Sequence, residues 1–279
     1  MTTPMTTPKS VAELVKVAAK LGKRAVLFSG VDPAAERLPA GKIAIDISKI
    51  GALSEFNADK NRIVIGTGVN LGRLARETVG ENGLIRQASL LIANPLVRNR
   101  ITLLQALNPE SQYFDITTPL ALLDSKVRLQ SPTSKRTVPI KEFLEASVKG
   151  LKKGEIPIAI EFPKLPSNDR VGFFRVARMG GKGSVSAATR MKLVKNTCVD
   201  PEIFVSSLSR IPLRSRTAEK EVGGKAAAEG SIKRAAQAAA SELGQLAEKH
   251  KHNAYEHTLI EITVARTLRS IMEDSVPAE

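Results

Sequence analysis

Three histidines, His250, His252 and His257, fall within eight residues, a spacing that a bent loop can turn toward one metal ion. No cysteine stands beside them and no two share a helical i, i+4 spacing, so a solvated loop before the last helix is the simpler reading. Gly180-Gly-Lys-Gly183 offers consecutive backbone N–H groups that can form a concavity for an anion. It lacks the G-x-x-x-x-G-K-[ST] spacing of a phosphate-binding loop and reads better as a turn. Cys198 has no neighbouring histidine and no visible basic helix start, the settings that activate a thiolate. No Ser-His-Asp set or nucleophile elbow can be picked out. Two further segments are more telling together. Ala25-Val-Leu-Phe-Ser-Gly-Val-Asp32 is an apolar strand that ends in a small turn followed by an acid. Asn94-Pro-Leu-Val-Arg-Asn-Arg-Ile-Thr102 is a charged loop leading to a hydroxyl, with Asp115 thirteen positions later. A dinucleotide needs backbone donors and hydroxyls for its diphosphate and a carboxylate for its ribose hydroxyls.

The elements that must position these residues alternate in type. Val11, Leu14, Val15, Ala18 and Leu21 share one helical face, with Ser10 as N-cap and Gly22 as stop. Short strands are expected at 25–28, 43–47 and 62–66, and helices at 71–79 and 84–92. Residues 126–130 and 136–140 flank Ser131-Pro-Thr-Ser134 as a hairpin, followed by a short helix at 141–145. Glu155 to Phe162 reads as a strand that Pro157 pushes toward a sheet edge. Pro163-Lys-Leu-Pro-Ser-Asn-Asp169 is the best domain boundary. Beyond it, strands are expected at 172–176 and 185–194. Helices follow at 231–246, alanine-rich with a weak apolar face, and at 257–272.

Bulk properties narrow the class. A chain of 279 residues and 30.0 kDa has room for roughly two domains. Its 42% hydrophobic and 25% charged residues are those of an ordinary globular protein. No apolar run is long enough to span a membrane, the start has no secretory core, and one cysteine excludes an internal disulfide. A cytoplasmic setting is the resulting expectation. The net charge of +14 raises nucleic-acid binding. The basic excess is spread along the chain, and aromatics are only 4%, too few for base-stacking platforms. General solubility or an acidic partner accounts for it better.

The order of segments resembles the FAD-binding (medium) subunit of molybdenum hydroxylases, as in the carbon monoxide, xanthine and aldehyde dehydrogenase families. Phe28-Ser-Gly-Val-Asp-Pro33 stands where the family has Ala-Gly-Gly-Thr-Asp-Leu. Ile45-Asp46-Ile47, Leu53 and Phe56 echo its next motif, and Val64-Ile-Gly-Thr-Gly-Val-Asn-Leu71 the one after. Asn94-Pro-Leu-Val-Arg-Asn-Arg-Ile-Thr-Leu-Leu-Gln-Ala106 aligns without a gap to Ser-Pro-Gln-Ile-Arg-Asn-Arg-Gly-Thr-Ile-Gly-Gly-Asn, the most specific piece. Asp115 to Ser125 and Arg136 to Phe143 match further downstream. Phe174-Arg-Val-Ala-Arg178, Val185-Ser-Ala187 and Ala254-Tyr255 resemble the family's C-terminal domain.

The resemblance implies an α+β fold in two parts. Residues 1–168 would form a two-lobed FAD-binding domain of the vanillyl-alcohol-oxidase (PCMH-like) type. Residues 169–279 would form a small α+β domain like the C-terminal domain of the carbon monoxide dehydrogenase flavoprotein. It implies an oxidoreductase subunit that passes electrons from iron–sulfur clusters through FAD to an external acceptor. The molybdenum cofactor and the 2Fe-2S clusters would sit on partner subunits, a large and a small one, since one cysteine cannot hold clusters here. Catalytic residues and metal ligands are not expected in this chain. Of the family's cofactor-binding positions, Gly30, Asp32, Thr102 and Asp115 match. Gly30 would allow close backbone approach, Thr102 would offer a hydroxyl to phosphate, and Asp115 a carboxylate to a sugar. The departures are Ser29 and Val31 in the first glycine turn and Leu104, Gln105 and Ala106 in the second. They motivate an alternative, a docking subunit that keeps the scaffold without flavin.

Overall fold

In the computed structural model, the residues described are 5–29, 38, 40–78, 83–152, 154–176, 184–206, 211–247 and 254–272. In chain order the elements begin with β1 (Met5–Thr6), α1 (Val11–Leu21), β2 (Ala25–Phe28), β3 (Ile43–Asp46), β4 (Phe56–Ala58) and β5 (Arg62–Gly66). Helices α2 (Leu71–Glu77), α3 (Gly83–Ile92), α4 (Pro95–Arg98), α5 (Leu103–Ala106) and α6 (Thr117–Leu122) follow. Then come β6 (Lys126–Gln130), β7 (Lys135–Pro139), α7 (Ile140–Lys149), β8 (Ile156–Pro163), β9 (Arg170–Val176), β10 (Val185–Val194) and β11 (Thr197–Ser206). The chain closes with β12 (Leu213–Arg214), α8 (Arg216–Val222), α9 (Glu229–Ala247) and α10 (Ala254–Met272). The fold is α+β.

Two compact units divide the chain. One gathers Met1–Glu77, Ala93–Phe114 and Asp124–Lys164; the other gathers Thr78–Ile92, Asp115–Leu123 and Leu165–Glu279.

The first unit holds two sheets. A parallel sheet of order β1-β3-β2 is covered by α1, whose Leu14, Val15 and Ala18 are buried. Ser10 caps that helix, its Oγ accepting from the Glu13 N–H at 3.2 Å. The second sheet is antiparallel, of order β4-β5-β8-β6-β7. Leu14, Val15, Ala18, Ile45, Ile47, Ile50, Leu53, Leu104 and Ile156 form one apolar cluster, so side chains from both sheets share a core.

Pro157 does not mark an edge: β8 is the central strand of its sheet. Its pairing with β5 spans Ala159 to Pro163 only, so at Pro157 there is no β5 partner for the missing N–H. On the other side the β6 register slips between Arg128 and Leu129, where Leu129 meets Pro157. The Pro157 carbonyl instead accepts from the Thr67 hydroxyl at 2.8 Å.

The second unit is an antiparallel sheet of order β12-β11-β10-β9. The β10–β11 hairpin turns on Lys195 and Asn196, with φ of 48° and 62° between the paired Val194 and Thr197. Two successive positive-φ residues make a type I′ turn, matched to the strand twist. Strand β11 goes unforeseen by the sequence reading because charged and apolar residues alternate in it only loosely. In α9 the alanines are the buried face. Ile232, Ala235, Ala236, Ala239, Ala240 and Leu243 are all at most 3% exposed. They follow the i, i+3, i+4 spacing, and their small side chains let neighbouring helices come close.

Candidate functional site

The resemblance places its most specific motif around a turn of the first unit, and that turn is built from the loop before it. Asn94 caps α4, its Oδ1 accepting from the Val97 N–H at 3.0 Å, with Pro95 at the first helical position. The Arg98 guanidinium donates back to the Ala93 carbonyl at 2.8 Å. Asn99 lies against Gly72, where an added Cβ would meet its Oδ1 at 2.1 Å. The Asn99 carbonyl accepts from Asn70 Nδ2 at 3.1 Å, and Asn70 Oδ1 in turn accepts from the Arg73 N–H at 2.7 Å. The Pro-x-x-Arg-Asn-Arg stretch therefore fixes where residue 102 begins. Gly66 tightens the facing loop, because a Cβ there would stand 2.3 Å from the Leu53 carbonyl oxygen.

Thr102 is the N-cap of α5 and is 2% exposed. Its own N–H and its hydroxyl both donate to Gln105 Oε1, at 2.9 and 3.0 Å, while its Oγ1 accepts from the Gln105 N–H at 3.4 Å. This is a capping box, closed reciprocally by the side chain three residues on. The preceding N–H groups are engaged as well: Leu103 donates to the Val69 carbonyl at 2.8 Å and Leu104 to the Thr67 carbonyl at 2.7 Å. The Leu104 side chain is 8% exposed and belongs to the apolar cluster shared by both sheets.

Asp115 belongs to the second unit, whereas Thr102 belongs to the first. Asp115 is 4% exposed, and its Oδ2 accepts from Arg175 Nε and from Ser184 Oγ, the latter at 2.8 Å. Arg175 Nη1 also donates to the Ile92 carbonyl at 3.3 Å. An ion pair this buried is held by its extra hydrogen bonds, and its geometry ties the start of α6 to β9 and to the end of α3. Gly30 and Asp32 lie outside the described residues, as do Gly180 to Gly183, His250 and His252. His257 lies in α10, and among the described residues no group of three His, Cys, Asp or Glu side chains is arranged to hold a metal. Cys198 is fully buried, and burial pushes its thiol up, away from the reactive thiolate.

A dinucleotide's diphosphate needs free donors, and the backbone N–H groups at the second turn are already engaged. The N–H groups of residues 102 to 105 and the Thr102 hydroxyl all point to acceptors within the chain. These residues, as they stand, do not fit a diphosphate at that turn. Sequence reasoning took Gln105 as the loss of a glycine. The signal for its actual role was available, since Thr102-x-x-Gln105 has the S/T-x-x-E/Q pattern of a capping box. Arg175, the partner of Asp115, carried no local signal, because the two are sixty residues apart.

The two units, one of two sheets and one of a sheet covered by long helices, give the architecture against which known proteins are compared. The chain belongs to the family described as the FAD binding domain in molybdopterin dehydrogenase, which matches residues 1–165. The CO dehydrogenase flavoprotein C-terminal domain matches residues 182–271. Among curated relatives, the 6-hydroxypseudooxynicotine dehydrogenase complex subunit alpha of Paenarthrobacter nicotinovorans is 24% identical over 248 residues, covering 87% of this chain and 84% of the relative. The carbon monoxide dehydrogenase medium chain of Afipia carboxidovorans is 25% identical over 227 residues, 78% and 79% of the two chains. A crystal structure of the cyanide-inactivated Cu,Mo-CO dehydrogenase superposes with a TM-score of 0.83 over 98% of both chains at 22% identity. Quinoline 2-oxidoreductase from Pseudomonas putida 86 gives 0.80 over 99% of this chain and 98% of that one, at 20% identity. The expected α+β fold is therefore the observed one, and the relatives are chains of oxidoreductases. Among the described residues no helix is long and apolar enough to cross a membrane.

Proposed function

We propose that this chain is the FAD-binding, electron-transfer subunit of a cytoplasmic molybdenum hydroxylase. It passes electrons from iron–sulfur clusters on a small partner subunit to an external acceptor, while a large partner holds the molybdenum cofactor. The observation that carries this reading is the extent of the match. Both family domains occur in order, and the chain covers 84% of one dehydrogenase subunit and 79% of another. The protein's part in such chemistry is to position and electrostatically tune a bound cofactor. The reading divides the chain into an FAD-binding domain, 1–168, and a C-terminal domain, 169–279. Within it Gly30, Asp32, Thr102 and Asp115 are the candidate cofactor contacts, matched by the family's motifs. Thr102 and Asp115 serve as such only by exchanging the internal bonds described above.

One observation favours a second reading, a docking subunit without flavin: the second turn is closed by its own side chains. The visible spectrum of the purified full chain, alone and after addition of FAD, separates the two. Flavin absorption, with flavin fluorescence released on denaturation, is the expected result. Colourless protein that stays colourless with added FAD would leave the docking reading.

A further inference from the structure

Gln105 Oε1 accepts two hydrogen bonds from one residue, the N–H of Thr102 at 2.9 Å and its hydroxyl at 3.0 Å. A phosphate oxygen brought to this turn would seek the same two donors, because backbone N–H and hydroxyl groups are what proteins aim at diphosphates. We infer that Gln105 occupies the place of a diphosphate oxygen, so that this turn competes with a dinucleotide rather than holding it. The inference rests on the flavin-binding reading only for the identity of the ligand.

Three features make the occupation stable. The carboxamide is neutral, so it satisfies both donors without burying a charge. The donors are almost inaccessible while Gln105 is in place, Thr102 being 2% exposed, so water does not compete with the carboxamide for them. The turn also cannot withdraw to make room. Leu104 anchors its far side in the apolar cluster with Leu14, Val15 and Ile45, and the Leu103 and Leu104 N–H groups pin its backbone to the Val69 and Thr67 carbonyls. A ligand must therefore displace one side chain, and that side chain is Gln105. Removing it frees the Thr102 N–H and hydroxyl together. Replacing it with glutamate keeps the box, since glutamate closes a capping box as well as glutamine does, but puts a negative charge where the phosphate would come.

FAD titration of the full chain by flavin fluorescence, with the wild type, Gln105→Ala, Gln105→Gly and Gln105→Glu side by side, tests this. Circular dichroism melts confirm that each variant is folded. The expected order is at least about tenfold tighter binding for both Gln105→Ala and Gln105→Gly than for the wild type, with Gln105→Glu weaker by a similar factor. If the wild type binds FAD and the alanine and glycine variants bind it equally or more weakly, the inference falls while the flavin-binding reading stands. If only the alanine and glycine variants bind, the inference stands and the natural chain is the flavin-free subunit. If no variant binds, both fall.

Discussion

Thr102 and Asp115 match the same cofactor motif set, yet the two units hold them by opposite chemistries. In the first unit Thr102 sits in a neutral, short-range box whose members are three residues apart. In the second unit Asp115 sits in a buried ion pair with Arg175, sixty residues away, supported by Ser184. Both residues are nearly inaccessible, and both are hydrogen-bonded within the chain. The contrast teaches that two positions matched to one motif set can be held in the fold by different chemistry. A hydroxyl and a carboxylate suited to a ligand are equally suited to a cap and to a guanidinium, and neighbours decide between these uses.

The largest effect should come from breaking the charged half of the comparison. Asp115→Ala takes the Asp115 carboxylate from the Arg175 guanidinium, whose side chain is 10% exposed. A loss of about 3–5 kcal/mol is expected from removing one partner of such a pair. Amide hydrogen exchange in β9 and α6 reads this directly. The double variant Asp115→Leu/Arg175→Met should recover most of the loss, because it removes both charges; equal damage in single and double variants would mean that the pair matters only for packing.

Next in size is the apolar side of the neutral half. Leu104→Gly restores the family's glycine but empties a core position shared by two sheets, and a cost of about 2–5 kcal/mol is expected for deleting such a side chain. Urea unfolding of the full chain measures it. This is why the flavin titrations above vary Gln105 and leave Leu104 alone: the leucine belongs to the core, the glutamine to the turn. A Leu104→Gly chain as stable as the wild type would show that the leucine is not a member of that core.

Much of this was legible beforehand. Helix α1 with Ser10 as its cap, the hairpin β6–β7 and strand β5 follow from local spacing and turn residues, as their hydrogen bonds and apolar contacts are near in sequence. Pro157 misled because a proline's tolerance depends on where its neighbours end, and neither the end of the β5 pairing nor the slip in β6 is written near residue 157. The alanines of α9 misled because a weak apolar face is measured by side-chain size, whereas close helix packing uses small side chains as its surface. At the site, the capping box was readable from four residues, and the Asp115–Arg175 pair was not, since long-range pairing is set by topology.

A smaller effect tests the box itself. Thr102→Val keeps the shape but removes the capping oxygen, and a loss of about 1 kcal/mol is expected. Because the box contains no titrating group, that loss should be the same at neutral pH and in mildly acid buffer.

The smallest effect expected is a difference between such differences, and it sets the box against an ion pair of its own unit. Glu155 has a side chain 3% exposed and receives the Arg136 Nε–H at 2.6 Å. That hydrogen bond holds the Glu155 carboxyl below its ordinary value against the opposing pull of burial. A depressed carboxyl contributes stability that is present above its unfolded value and is lost as pH falls through its folded one. Arg136→Met removes both of its hydrogen bonds to Glu155 and its charge, and leaves burial opposed only by the smaller contribution of Lys152, so the carboxyl of the variant titrates higher than that of the wild type. The variant should therefore be clearly weaker at neutral pH and approach the wild type as acid protonates Glu155 in both. Urea midpoints for Thr102→Val and Arg136→Met at the two pH values make the comparison: the first gap should stay constant and the second should close. A gap for Arg136→Met that persists unchanged in acid would mean that the arginine acts through the packing of its stem rather than through its charge.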